Sequence, residues 1–458
     1  MAYEDLTMKE KEIAQGKRFR LKISRVLIIL LIAGAGAFVY YRLSLKSKLQ
    51  ARINAIRDAD YPVTCAELDK WYTIPENAEN AADTIMDAFW CYRETGETKS
   101  LLINYLEGFF YRTKPLPEEK KVSIVQSIAD NNETLTLLHK AATIKYCRYP
   151  IDLSSGFNAN LNYLRKLWKC IILLNIDAIW HAENGQSQSA ANSVISSLCL
   201  ARSLAEEPVI ESQLVRMTCY SLIISNLESC INRTTFTDEQ LVSINRCLIG
   251  AENHSTLARA YAGDRCLFLD ALKKLESLKP TVTMSGRQIT PMYAPFSRLY
   301  KAVGLTDMDA IIYLDVIDRY IEITKLPLHQ RRKASDALEA GLVSISNIHV
   351  LLHMLIPNIS RDATKELESI VDLHAARASL AVERYRLAAG KLPDSLSELV
   401  PAYLESVPID PFDGNEMRYK KFKTGFVVYS VGEDLNDDGG KEITSESENW
   451  DMTFIVER

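Results

Sequence analysis

The sequence predicts a mainly α-helical chain with three parts: one N-terminal transmembrane helix, a multi-helix body, and a small C-terminal α+β domain with a three-stranded antiparallel sheet. Three observations carry this. Only 18 of the 458 residues are glycine and 15 are proline, well under the ~12% of an average chain, which favours helix over sheet. An early run lacks any charge. The last 70 or so residues change from helical spacing to short β-rich segments separated by turns. With 47% hydrophobic residues and 25% charged, the chain is neither disordered nor a many-span membrane protein. A net charge of −5, with no long basic stripe in the body, argues against nucleic acid as a partner.

Val26 to Tyr41 is 16 residues without a charge, bounded by Arg25 and Arg42. Long arginine stems reach the headgroups from such positions, so residues 24–43 suffice for a short or tilted span through a lipid bilayer. Lys17, Arg18, Arg20, Lys22 and Arg25 precede the run with no acid among them. This places residues 1–23 in the cytoplasm and the body, 44–389, outside it. Ala35-Gly36-Ala37 offers small residues for cleavage, so a processed signal peptide is the competing reading.

From Leu49 to Ala389 the spacing is helical. Leu164, Leu167, Ile171, Ile172, Leu174 and Ile176 give residues 161–180 a broad apolar face. Asn184-Gly185 breaks that helix and Ser187 to Leu204 resumes it, an antiparallel hairpin resembling a tetratricopeptide unit, with no second copy at the repeat spacing. Further helices are predicted at 209–231, 238–251, 254–277, 306–325, 331–355 and 361–389, with a polar surface loop over 279–295. The nine cysteines form no CxxC pair, so zinc-finger and thioredoxin-like readings lack support, and apolar helical contexts make most of them small buried hydrophobes.

At Gly390-Lys391-Leu392-Pro393 the last long helix ends. Ser395 to Glu398 has capping-box spacing, and candidate strands follow at 417–422, 426–431 and 452–456. From Leu380 onward the chain carries ERYRLAAGKLP, LVPAYL, VPIDP and YSVG. These motifs, in this order, resemble the globular head of the major pseudopilin of type II secretion. The glutamate-bearing apolar helix through which pseudopilins assemble is not matched, so the resemblance covers residues 390–458 and the helix before them. The overall layout, including Pro75 to Ala82 and Ala201 to Pro208, resembles a group of uncharacterised bacterial membrane-anchored proteins. It implies the bacterial inner membrane, with a periplasmic body.

Asp434 to Asp451 holds seven carboxylates against one lysine. Asp434-x-Asn436-x-Asp438-Gly439 reproduces the first half of an EF-hand loop, in which alternate oxygens converge on calcium and glycine permits the turn, although Ser445 replaces the usual last glutamate. The pseudopilin resemblance implies calcium held by Asp434 and Asp451, with Asn436 and Asp438 added from spacing. A solvated acidic loop is the alternative.

Catalytic patterns are thin. His349 and His353 lie four apart but without the glutamate of HExxH, and no GxSxG, phosphate-binding or dinucleotide-binding glycine motif is present. The expected function is therefore that of a non-catalytic, membrane-anchored scaffold or binding protein with a protein partner in the cell envelope, linked to secretion and calcium-stabilised at its C-terminus. The alternative is an exported hydrolase with a site in the helical body.

Overall fold

The computed structural model describes residues 2–106, 112, 115–252, 256–278, 280–282, 288–442 and 450–458. A single helix, α1 (Ala2–Asp58), opens the chain. Its residues from Ser24 onward are long and apolar enough to cross a membrane. Val26 to Tyr41 are exposed throughout, Leu31 at 73%. Exposure changes at Arg42, where the stripe Arg42, Leu45, Leu49, Ile53 and Ile56 begins to pack on the body. Those positions are three or four apart, so they share one helix face.

Short helices follow: α2 (Cys65–Trp71), α3 (Ala81–Cys91), α4 (Gly96–Leu106), α5 (Glu118–Asp130) and α6 (Asn132–Ala141). The centre is α7 (Tyr163–Glu183), which packs on α8 (Ser187–Arg202) and α9 (Ile210–Arg233). Ile171, Ile172, Leu173 and Leu174 of α7 are consecutive and all fully buried. A helix closed off on every side gains roughly 1.5–3 kcal/mol from each such side chain. The predicted α7–α8 hairpin turns at Gly185, whose φ of 70° belongs to the left-handed region. Ala190 and Ala191 permit the close approach, and Ser193 and Ser197 donate across it to Asp177 and Asn175.

Next come α10 (Asp238–Ala251) and α11 (Thr256–Lys273). The predicted loop over 279–295 is not wholly irregular. β1 (Thr281–Val282) pairs antiparallel with β2 (Gln288–Ile289), and α12 (Ala294–Val303) starts inside the range, with Pro295 in its first turn where no amide partner is needed. Then α13 (Leu305–Ile323) runs beside α1. The single helix predicted at 331–355 is two, α14 (Leu328–Leu342) and α15 (Val350–Leu355). Serines and β-branched residues between them favour turns, and the Ile348 carbonyl accepts from Tyr300 rather than continuing a helix.

The 31-residue α16 (Ile359–Ala389) joins two hydrophobic cores. Ile359 and Ala363 belong to the one built on α11 and α13, and Leu367 onward to the one built on α7, α8 and α9. It ends, as predicted, at Gly390 with φ 68°. Ser395 is no capping box: its hydroxyl meets Ser397, and Glu398 accepts from the Asp394 amide. The sheet β3 (Arg418–Lys421), β4 (Phe426–Ser430) and β5 (Met452–Val456) is antiparallel in that order. It packs on α16, and α9 side chains cap the outer edge of β5. Asn232 donates to the Ile455 carbonyl at 2.9 Å and Glu228 accepts from its amide at 2.5 Å, which covers an otherwise open strand edge.

Gly263 of α11 marks the tightest crossing, since a Cβ there would collide with the Pro208 carbonyl. Gly263→Ala should therefore destabilise the chain by about 1–3 kcal/mol through overpacking. Thermal unfolding checks this, and an unchanged midpoint would mean the crossing is looser than described.

Candidate functional site

Asp451, 1% exposed at the start of β5, organises the acidic loop. Its carboxylate accepts the Gly440 amide at 2.8 Å and the Asp438 amide at 3.4 Å. Gly439 and Gly440 both have φ near +76°, which lets the backbone turn its N–H groups inward. Asp434 instead accepts the Asn436 amide at 3.0 Å in an Asx turn, and Asn436 donates to Asp438 at 3.2 Å. Asp438 Oδ2 is enclosed without a hydrogen-bond partner. The structure thus brings Asp438 and Asp451 together, while the Asp434 carboxylate is engaged in its own turn. Glu446 and Glu448 lie outside the described residues, and among the described residues no three acidic, histidine or cysteine side chains converge as a metal cluster. Burial raises the Asp451 carboxyl above its usual range, against the pull of its backbone donors.

What holds this unit together is a buried carboxylate that reads in sequence as an ordinary turn residue. Asp410, in the Pro408–Pro411 turn, is fully buried and accepts from Ser430 Oγ, the amides of Phe412 and Val431, and Arg418. Arg418 also reaches Asp413 and Asp437.

His349 and His353 do not form a pair on one helix. His349 caps α15 and places Nδ1 2.5 Å from Asp309, whose other oxygen accepts from Tyr300 at 2.7 Å; His353 faces solvent. This Tyr–Asp–His chain is sealed, with His349 6% exposed and Asp309 0%. It lines none of the clefts described below and reads as a packed polar link between α12, α13 and α15. His181 meets Gln186 and Asp177 at the end of α7.

Two of the clefts among the described residues lie against α7 and α8. One, of about 450 Å³, lies between the Pro75–Ala82 segment and the end of α8, the two stretches whose pattern stood out in the sequence. Asn80 fixes its near wall by bonding both the amide and the carbonyl of Arg148. Cys147, Cys199, Arg202 and Lys145 line it. The neighbouring Cys247 thiol and the charge of Arg202, whose Nη2 is 3.8 Å away, pull the Cys199 thiol below its ordinary range. No histidine is among the described lining residues. Behind this wall lies Glu207, fully buried and held by the hydroxyls of Tyr72, Tyr163 and Ser212. Burial raises its carboxyl to about 7.

The second cleft, about 730 Å³, runs beside the N-terminus of α7. Phe157, Leu161, Leu164, Trp168, Val209 and Leu214 make it largely apolar, and Arg165, Arg361 and Lys365 stand along it. A broad, open apolar groove of this kind can bury apolar ligand surface; Glu211 also lines it, and Lys365 is paired with Glu368 at 2.5 Å.

No family model, curated protein or solved structure matches the chain.

Protonated Glu207 contributes stability that is full below pH 4.5, its ordinary pKa, and is lost as pH rises through about 7. In Glu207→Gln that loss is absent. Over this window the parent should fall relative to the variant by roughly 3 kcal/mol, at 1.36 kcal/mol per pH unit. Denaturant unfolding of both proteins across pH 4–8 measures it, and parallel curves would count against a buried neutral carboxyl.

Proposed function

We propose that this chain is a membrane-anchored binding protein of the bacterial cell envelope. Residues 24–43 cross the inner membrane, residues 1–23 are cytoplasmic, and the helical body is periplasmic and recognises a partly apolar segment of a protein partner. The observation that carries the reading is the change along α1 from a fully exposed apolar run to a packed stripe at Arg42. Exposed apolar surface of that extent is costly in water and favourable in hydrocarbon. Binding rather than catalysis is supported by the wide, mainly apolar second cleft and by the closure of the His349–Asp309 pair.

The nine cysteines, none in a disulfide, favour a second reading with the body in the reducing cytoplasm. Reporter fusions at Arg458 decide between the two. A periplasmic reporter active there supports export, and activity of a cytoplasmic reporter alone contradicts it.

The resemblance to the pseudopilin head suggests a link to secretion and calcium in the acidic loop, held by Asp434 and Asp451, with Asn436 and Asp438 added from their spacing. The enclosed, unpartnered Asp438 Oδ2 supports this, since a hard cation takes six to eight oxygens and would supply its partner. Binding would stabilise the fold by RT ln(1 + [L]/Kd), about 2.7 kcal/mol at 100 times Kd. Calcium should raise the unfolding midpoint of the full chain in detergent, chelator should reverse the rise, and Asp438→Ala should abolish it. A midpoint indifferent to calcium leaves a solvated acidic loop.

A further inference from the structure

Helix α12 is built inside out for a helix in water. Its body-facing side carries Ser297 and Tyr300, both buried and both spent on hydrogen bonds. Ser297 Oγ donates to Glu276 at 2.6 Å, and Tyr300 OH lies 2.7 Å from Asp309 and 3.0 Å from the Ile348 carbonyl. Its other side carries Tyr293 at 77% exposure, Phe296 at 46%, Leu299 at 59% and Val303. Phe296, Leu299 and Val303 recur every three or four residues and form one continuous apolar face, with the exposed Tyr293 at the N-cap beside it. A surface helix of a soluble body normally turns such a face to the core.

The place of α12 in the fold explains the inversion. The helix ends at Gly304, where a Cβ would strike the Arg42 guanidinium and sit 3.1 Å from the Leu45 methyl. Arg42 is the first charged residue after the apolar run of α1, and it pairs with Asp307 at 3.0 Å while Tyr41 donates to Met308. The end of α12 is therefore level with the boundary between the apolar run and the body. The 343–349 segment reaches the same neighbourhood through Ile348, itself 54% exposed, as is Val343 at 83%. Between α1, α11 and the α12–α13 turn lies a cleft of about 680 Å³ lined by Arg42, Lys273 and Lys301. Cations beside an exposed apolar face match a lipid surface, with acyl chains under the face and anionic headgroups at the bases.

We propose that α12 is a second membrane contact. It lies in the interfacial layer beside the span, with Phe296, Leu299 and Val303 entering the acyl boundary, Tyr293 beside them at the N-cap, and Lys273 and Lys301 meeting anionic phosphates. The proposal rests on residues 24–43 being a span. Two membrane contacts fix the tilt of the body as well as its attachment, and with it the direction in which the clefts face.

The test uses the full chain reconstituted in vesicles of phosphatidylethanolamine and phosphatidylglycerol, with and without lipids brominated near the top of their acyl chains. Tryptophan is introduced in separate variants at Phe296→Trp, Tyr293→Trp, Ile32→Trp and Val122→Trp, and emission is compared with that of the parent chain. Tyr293 is exposed enough that its replacement spares the fold, and Val122 sits on α5, 73% exposed, among α4, α6 and α7. Brominated lipid should reduce the emission added at 296 and 293 by about half, as at 32, and leave 122 unchanged. Quenching at 32 but not at 296 and 293 would overturn the interfacial helix while leaving the span intact. Absence of quenching at all sites would overturn both, and equal quenching at 122 would mean that the body contacts lipid without regard to this face. Replacing phosphatidylglycerol by phosphatidylcholine should weaken quenching at 296 and 293 but not at 32; equal quenching in both would remove the assigned role of the two lysines.

Discussion

The helix that leaves the apolar run does not stop before it meets the body, and the rest of the arrangement depends on that continuity. Residues 24 to 58 form one rod, and its packed stripe lies along α13 in the same chain direction, with Arg42 paired to Asp307 and Arg52 to Asp315. A helix rises 1.5 Å per residue, so these two ion pairs hold the rod at points about 15 Å apart. Exposed pairs contribute little by themselves. Arg42 and Asp307 are both mostly enclosed, however, and Leu49, Ile53 and Ile56 add apolar burial along the same face of the rod. Tilting the body relative to α1 would have to break this seam.

Beyond the seam, α16 supports both cores, and the elements that carry charge inward do so with partners. Arg331 and Glu366 pair at 3.0 Å with both side chains nearly enclosed. Removing either partner of such a pair leaves an uncompensated buried charge at a cost of about 3–5 kcal/mol. Tyr261 donates to Asp362 at 2.5 Å one turn away. These links run from α11 and α14 to the first half of α16 and hold the core built on α11 and α13, to which α1 is docked, against the core built on α7, α8 and α9. The latter in turn holds the sheet, because Phe426, Val428 and Val456 belong to it and Glu228 and Asn232 cap β5. Contact is thus continuous from the span to the acidic loop.

What could be read from the sequence follows from the range of the interactions involved. The apolar run, the α7–α8 hairpin and the three C-terminal strands rest on local periodicity and turn residues, and the bounds of the hairpin helices and strands agree within three residues. Helix α12 keeps helical spacing at Phe296, Leu299 and Val303, but it is only ten residues long and follows a Pro-rich, β-branched stretch that predicts a loop, so the spacing stands out little. The 331–355 range was read as one helix because Leu, Ala and Val spacing persists through it, whereas the break depends on Tyr300 from another element. Glu207 was missed because its partners Tyr72 and Tyr163 lie 135 and 44 residues away. Asp410 looked like a turn residue, and only the fold brings Arg418 and Ser430 to it. Of the four acidic-loop residues chosen from spacing and resemblance, Asp438 and Asp451 meet, while Asp434 and Asn436 form the local turn that their sequence separation favours.

The central claim is that the exposed apolar stretch of α1 is solvated by lipid and that the body hangs from it. Alkaline carbonate extraction of membranes from cells expressing the full chain tests this most directly, because it strips proteins held by charge or by partners and leaves those that span the bilayer. The account predicts that the chain remains with the membrane pellet at its full length and is released only by detergent. Recovery of the full-length chain in the carbonate supernatant would contradict it.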